Sequence, residues 1–480
     1  MIKFGTGGWR AIIGDDFTSY NIKLLAQAMS IYMKEGYKSR GIDGPVELVI
    51  GYDRRFLSRK AAAWVSEVMA ANDILVHFID EIAPTPLIMF AVKRLNLEYG
   101  LAITASHNSS DYNGVKLFTD GGKDATKEVT DRLEVILEKI TKEDVLEINF
   151  EEAIRSNSVI ILDPFNEYID NIIENIDIQK IKERRLRVLL DTMHGVSKTC
   201  LQTVLISARC EVDIINDRND PLFGGKLPAP SSKTLRKLKD MVVDRKYDLG
   251  IATDGDADRL GIIDEKGRFI HPNDIMVLLY YYLLKYKGEK GAVVRNLATT
   301  HLLDRIAAGY GQKCIEVPVG FKHISSGMER EDALIGGESS GGLTIRGHIQ
   351  GKDGIFAASL MIELMSVTGK SLSELLEEIH EQYGSFYMVE KDYSFDEATK
   401  VNLYKKVFID KELPDYSHPI NRISYEDGMK IYFENDGWII TRFSGTEPVL
   451  RVYAEMESKE AAKDIVNQME IFLSLDNQMD

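Results

Sequence analysis

Cysteine is scarce in this chain. Its 480 residues include three, Cys200, Cys210 and Cys314. They are far apart and form no C-x-x-C, so neither a disulfide framework nor a thiolate metal site is expected, and a reducing cytoplasm fits. Positive charge is also in deficit. Lys and Arg total 59 against 75 Asp and Glu, a net charge of −16, and a surface of that sign repels a phosphate backbone. No nucleic-acid partner is expected, although a local basic pocket could still hold a small anion. Long apolar runs are missing as well. The longest, Ile275 to Leu284, is interrupted by three tyrosines and stopped by Lys285, well short of the roughly 18 residues a membrane span needs. The start, Met1-Ile2-Lys3-Phe4-Gly5, lacks the apolar core of a signal peptide. The expectation is a cytoplasmic protein with no membrane partner.

What is present is ordinary globular composition, 44% apolar and 28% charged, at a length that suits about three or four domains. Short β-branched runs alternate with helical stretches, the pattern of α/β domains with largely parallel sheets. The pattern repeats. First strands are read at Val46–Asp53, Leu186–Asp191 and Ala292–Arg295, and second strands at Ile74–Phe78, Cys210–Ile215 and Lys313–Val317. Each second strand leads to a proline-containing loop. Third strands then run into unusually polar turns, Tyr99–Ser106, Tyr247–Asp254 and Asp332–Glu338. Ser106, Asp254 and Glu338 thus fall at matching places in three copies. Ligands of such sheets sit beyond the carboxyl ends of the strands, so three copies around one cleft would aim all three turns at one substrate. Past a helix at about 371–380 the pattern changes to a smaller α+β unit, with strands near 429–434, 437–442 and 449–455 and a closing helix near 458–474. The expected domains are 1–155, 156–262, 263–382 and 383–480.

The polar turns carry the chemistry. In Thr104-Ala105-Ser106-His107-Asn108, Ser106 is a candidate nucleophile or phosphoryl carrier, with His107 and Lys116 candidates for proton transfer or charge stabilisation. Asp254-Gly255-Asp256-Ala257-Asp258-Arg259 places three carboxylates at alternate positions behind an apolar strand. Confined there they repel one another unless a cation lies between them, and hard oxygen ligands favour Mg²⁺ or Ca²⁺. An EF-hand reading fails because Arg259 stands where that loop needs glycine and the flanks read as strands. Gly336-Gly337-Glu338-Ser339-Ser340-Gly341-Gly342 offers a carboxylate, hydroxyls and close backbone approach, which suits sugar hydroxyls. Arg442-Phe443-Ser444-Gly445-Thr446-Glu447-Pro448, with Arg451 beyond it, combines guanidinium forks, hydroxyls and backbone N–H groups, which suits phosphate. Gly369-Lys370-Ser371 only imitates a P-loop, since Leu364 stands where its first glycine belongs. Gly5-Thr6-Gly7-Gly8-Trp9-Arg10 has no strand before it, so a dinucleotide fingerprint is unsupported.

Taken in order, these motifs resemble those of the α-D-phosphohexomutase family, the phosphoglucomutase and phosphomannomutase group, and the resemblance covers essentially the whole chain. It implies three similar α/β domains plus a smaller C-terminal α+β domain around a central cleft. It also implies a phosphorylated Ser106. Mg²⁺ would be held by Asp254, Asp256, Asp258 and a phospho-Ser106 oxygen, while Glu338 and Ser340 would hold sugar hydroxyls. Arg442, Ser444, Gly445, Thr446 and Arg451 would hold the nonreacting phosphate. Arg10, His107, Lys116, Arg259, Lys322 and His323 match further active-site positions. The implied reaction interconverts hexose 1-phosphate and hexose 6-phosphate, of glucose or mannose, with glucose 1,6-bisphosphate as activator. The implied assembly is a monomer or homodimer.

Two departures stand out. Many members have proline after the Ser-His-Asn turn where this chain has Ser109, and many have histidine after the Glu-x-Ser-Gly of the sugar loop where this chain has Gly342. The second leaves the hexose open, with phosphoglucosamine mutase as an alternative. A phosphatase of the Asp-x-Asp type would instead use Asp254 or Asp256 as nucleophile and need no serine carrier. A sugar-phosphate sensor would keep the clamp and could dispense with Ser106 and the aspartates.

Overall fold

The computed structural model of the chain describes residues 2–5, 7–443 and 449–475. The chain divides into two compact units, one of Met1–Ile275 with Ser340–Ser373 and the other of Met276–Ser339 with Glu374–Asp480.

The first unit contains two sheets of the same design. In one, the strand Val46–Tyr52 pairs in parallel with Ile74–Ile82 on one side and Tyr99–Ile103 on the other. In the second, Arg187–Asp191 pairs in parallel with Glu211–Ile215 and Leu249–Thr253. The middle strands are apolar and β-branched, and apart from Glu47 and Arg187 every residue in them is buried, as expected for parallel strands covered on both faces. Each third strand turns back into an antiparallel partner, Tyr112–Thr119 in the first sheet and Leu260–Ile263 in the second. The serine and aspartate turns are the connections between these pairs. Trp9–Ile12 adds an antiparallel strand to Tyr112–Thr119, so the glycine-rich start precedes a strand and does not follow one. Helix Ser19–Ser39 begins where Thr18 accepts a hydrogen bond from the Asn21 N–H, satisfying one of the donors a helix N-terminus leaves over.

In the second unit, Val293–Asn296 pairs in parallel with Cys314–Val317 and Ile335–Gly337. The first–second–third strand arrangement read from the repeat therefore occurs three times. The C-terminal part is an antiparallel sheet in the order Tyr387–Ser394, Val449–Met456, Trp438–Phe443, Met429–Phe433, Ile420–Ser424. Helix Lys459–Leu473 packs against it through Ala462, Ile465, Val466 and Met469. Among the described residues no single helix is long and apolar enough to cross a membrane.

Candidate active site

Tyr99–Ile103 and Leu249–Thr253 are buried at every position, and each ends in a polar turn that the core holds rigidly from behind. The two turns meet inside the first unit. Ser106 Oγ donates to Asp254 Oδ2 at 2.8 Å, and Thr85 N donates to the Asp256 carbonyl at 2.9 Å. Gly255 allows this approach, since a Cβ there would fall 2.7 Å from the Ser106 carbonyl oxygen. Ser106 itself has φ of 50°, in the left-handed region. For a non-glycine residue that conformation costs on the order of 1–3 kcal/mol and persists only where surrounding contacts over-determine it.

Asp254, Asp256 and Asp258 are essentially inaccessible, and each offers an oxygen within 4.8 Å of the others. Lys116 Nζ donates to Asp256 Oδ2 at 2.6 Å and Asp258 Oδ2 at 2.8 Å, while Lys352 Nζ lies 3.0 Å from Asp258 Oδ2. Thr85 Oγ1 donates to Asp256 Oδ2 at 2.7 Å, and the Arg259 N–H donates to Asp254 Oδ1 at 3.0 Å. The remaining oxygens, Asp256 Oδ1 and Asp258 Oδ1, are buried without a hydrogen-bond partner. Buried carboxylate oxygens are rarely left so, and two of them beside a third carboxylate fit a hard divalent cation.

The electrostatics divide the triad. Burial, reinforced by Asp256 and Asp258, pushes the Asp254 carboxyl well above its ordinary value. Burial opposes the charge on Asp258 too, but Lys116, Lys352 and Arg259 hold that carboxyl well below the ordinary range. Burial, then Arg259 and Arg10, push His107 well below its ordinary value. Its Nδ1 lies 3.3 Å from Ser106 Oγ. Arg10 Nη1 donates to Asn108 Oδ1 at 2.5 Å, which brings a further cation to the serine turn.

Three residues in this cluster escaped the sequence reading. Thr85 opens helix Thr85–Arg94, in the stretch that the sequence reads only as a proline-containing loop after a second strand. Lys352 sits just before the Asp353 that caps helix Gly354–Thr368, and nothing in a lone Lys-Asp-Gly marks an active-site cation. Arg55 reaches the serine turn from the loop after Val46–Tyr52, and its chemistry became visible only with its partners.

The second unit gathers another set. Glu338 Oε1 accepts from Gly320 N at 3.0 Å and from Asn296 Nδ2 at 3.2 Å, which ties it to the start of helix Phe321–Glu331, where Lys322 and His323 stand. Asp427 joins that segment to the C-terminal sheet, accepting from Val319 N at 2.9 Å and Arg442 Nε at 2.8 Å. Burial, then Lys322, push His323 below its ordinary value. Arg442 and Arg451 stand directly opposite one another on neighbouring antiparallel strands. Like charges so placed are destabilising without an anion to share. Ser444, Gly445 and Thr446 lie outside the described residues. Ser340 is exposed in the first unit.

Comparison with known proteins covers this arrangement from end to end. Phosphoglucomutase/phosphomannomutase family models match in order: alpha/beta/alpha domain I over residues 1–144, domain II over 166–267, domain III over 271–383 and the C-terminal domain over 396–471. The chain is similar to a phosphoglucomutase/phosphomannomutase of Thermococcus kodakarensis, 31% identical with 96% of each chain covered. It is also similar to a phosphoglucosamine/phosphogalactosamine mutase of Sulfurisphaera tokodaii, 28% identical over 97% of this chain and 98% of the relative. Among solved structures, a candidate phosphomannomutase from Thermus thermophilus superposes with a TM-score of 0.84 at 27% identity, covering 98% of this chain and 99% of the other. Four domains matched in sequence order, and a relative alike over nearly the full length, place the chain in the phosphoglucomutase/phosphomannomutase family, mutases of the isomerase class.

Proposed function

We propose that this protein interconverts the 1- and 6-phosphates of a hexose, with Ser106 as the phosphoryl carrier. One observation carries the reading: a strained, buried serine bonded to a three-aspartate cluster in which two carboxylate oxygens lack partners. In the first half-reaction the phosphorus–Oγ bond of phospho-Ser106 breaks as a bond forms to the free hydroxyl oxygen of the hexose phosphate. The hydroxyl proton passes to a base; of the two candidates, Lys116 and His107, the histidine is favoured, because Asp256 and Asp258 hold Lys116 as a cation. The resulting 1,6-bisphosphate turns around and returns its other phosphoryl group to Ser106. Phosphoryl transfer is mostly positioning and charge stabilisation, and Lys116, Lys352, Arg259 and Arg10 supply fixed positive charge near the serine. Asp254, Asp256 and Asp258 would hold Mg²⁺, which supplies Lewis-acid stabilisation of charge on the transferring group. Glu338 and Ser340 would hold sugar hydroxyls, and Lys322, His323, Arg442, Arg451 and the 444–446 segment the second phosphate. Glucose 1,6-bisphosphate would reload a dephosphorylated Ser106.

The domains are proposed to run 1–155, 156–262, 263–382 and 383–480, carrying the serine, metal, sugar and phosphate loops in turn. Relatives named for glucose, mannose and glucosamine phosphates all fall within the match, so glucose and mannose are our reading and glucosamine phosphate the alternative. The phosphatase alternative has no support among the relatives. A coupled assay across glucose, mannose and glucosamine 1-phosphates, with a trace of the bisphosphate and free phosphate measured in parallel, tests the reading. Conversion without phosphate release is expected, and stoichiometric phosphate release would refute it.

A further inference from the structure

Both terminal nitrogens of the Arg55 guanidinium are spent on backbone carbonyls. Its side chain is fully buried, and Nη1 donates to the carbonyls of Ser109 at 2.6 Å and Tyr112 at 2.9 Å. Nη2 donates to the carbonyls of Ser106 at 2.7 Å and Asn108 at 2.6 Å. Three of the four acceptors belong to the serine turn, and the fourth, Tyr112, opens the strand that follows it. Asp53 orients the group: its Oδ2 lies 3.4 Å from Arg55 Nε, and its Oδ1 accepts the Arg55 N–H at 2.9 Å and the Ser58 hydroxyl at 2.8 Å. Asp53 Oδ2 also accepts from Thr104 Oγ1 at 2.6 Å, and that hydroxyl oxygen accepts the Ser106 N–H at 2.9 Å. The ion pair thus holds Ser106 from both sides, its N–H through Thr104 and its C=O directly.

The same loop reaches the body that carries the aspartates. The Arg55 guanidinium lies over the Phe223 ring, 4.8 Å from its centroid, and neighbouring Arg54 donates from Nη1 to the carbonyls of Asp217 at 3.1 Å and Arg218 at 3.2 Å. Both segments belong to the domain whose third strand, Leu249–Thr253, leads into Asp254.

We propose that Arg55, oriented by Asp53, is a positioning residue for phosphoryl transfer. It holds Ser106 in the left-handed conformation with Oγ on Asp254 and, with Arg54, locks the serine turn against the aspartate-bearing domain. The clamp suits its task chemically. A planar guanidinium spreads five donors over a fixed fork, whereas an ammonium concentrates three at one point and cannot span four carbonyls. At position 109 the chain has serine, whose φ no ring locks, and one of the four bonds falls on that carbonyl. The proposal rests on Ser106 being the carrier.

Single-turnover loading of Ser106 from saturating glucose 1,6-bisphosphate, followed by intact mass, tests both levels separately. If the wild-type protein does not load, the carrier reading falls and the clamp with it. If it loads, Arg55→Lys should melt near the wild-type temperature yet load at least about tenfold more slowly, with little change in the bisphosphate concentration needed for half-saturation. Methylguanidinium should restore part of the rate to Arg55→Ala. Thr104→Val, which removes only the hydroxyl on Ser106 N, should slow loading in the same way and serves where the arginine variants do not fold. Wild-type loading rates in folded Arg55→Lys, or in folded Thr104→Val where the arginine variants do not fold, would overturn the proposal. So would a loss that only tracks the unfolded fraction.

Discussion

Ser106 Oγ and Asp254 Oδ2 lie 2.8 Å apart although their residues are 148 positions apart in the chain. The contact joins the ends of equivalent strands in two copies of one α/β design, so the repeat itself brings a nucleophile-type hydroxyl to a carboxylate cluster. A serine placed there only for structure would be replaceable by alanine. A carrier would not.

Ser106→Ala should therefore fold, because Ser106 is wholly enclosed and its backbone bonds to Thr104 and Arg55 survive the change. Turnover should drop to background, and the phosphoryl mass expected on purified wild-type protein should be missing. Near-normal activity in the variant would remove Ser106 from the mechanism.

The triad should bind its cation through oxygens that have no other partner. Asp256→Asn keeps the shape but weakens the site by one charge, so kcat should fall by roughly two orders of magnitude with the melting temperature held. Excess chelator should abolish wild-type activity and added Mg²⁺ restore it. Full activity in chelator would show that Lys116 and Lys352 neutralise the aspartates unaided.

The repeat, the three strand-end turns and the aspartate cluster were legible because each rests on local pattern: a β-branched run, a glycine, carboxylates at alternate positions. Lys352 and Arg55 were not. Both act through long side chains whose targets lie far away in sequence, Asp258 for one and the Ser106 turn for the other, and a lone cation in a loop looks like any solvated one. Gly342 was read as a missing side chain that leaves a reader of the sugar absent. The structure gives it a different reason, since a Cβ there would fall 2.2 Å from Lys352 Cδ and 2.7 Å from its Cγ. The space is already taken by the lysine stem.

That packing makes a prediction about Gly342→Ala. The added methyl must push the Lys352 stem aside and weaken the 3.0 Å contact with Asp258. A charge-assisted bond of this kind contributes about 1.5–3 kcal/mol, so kcat/KM should fall by roughly one to two orders of magnitude. Lys352→Met should show a similar loss, and the double variant should lose little more than either single one. Additive losses would mean that the two positions act independently.

Acid should loosen the second unit through Glu316. Its Oε2 lies 2.6 Å from both Arg295 Nη1 and Lys430 Nζ, linking the strands Cys314–Val317 and Val293–Asn296 to Met429–Phe433 of the C-terminal sheet. Burial opposes the charge, but His301, Arg295 and Lys430 hold the carboxyl well below its ordinary range. A carboxyl lowered on folding contributes stability that is fully present above its unfolded pKa, about 4.3, and is lost as pH falls toward the folded value. Wild-type melting temperature should thus decline below about pH 4.5. Glu316→Gln should start lower at pH 7, because Lys430 Nζ loses the carboxylate bonded to it and Arg295 is left with the Asp304 carboxylate alone, and should show a shallower decline. Parallel acid profiles would place the acid sensitivity elsewhere.

Discrimination between glucose and mannose phosphates should be weak, with glucose at least as good. The two sugars differ only in the orientation of the hydroxyl at C2. The residues assigned to sugar hydroxyls, Glu338 and Ser340, are expected at positions where the sugars are identical, and residue 342 has no side chain. What occupies the space beside it is the lysine stem, and methylenes do not tell one hydroxyl orientation from the other by hydrogen bonding. A single neutral hydrogen bond is worth about 0.5–1.5 kcal/mol, so the ratio of kcat/KM values for the two 1-phosphates should lie between a few-fold and about tenfold. A ratio above roughly a thousandfold, about 4 kcal/mol, would require a group reading C2 directly. Lys352 would then be the first residue to replace, since its stem fills the space beside Gly342 and carries an ammonium at its end.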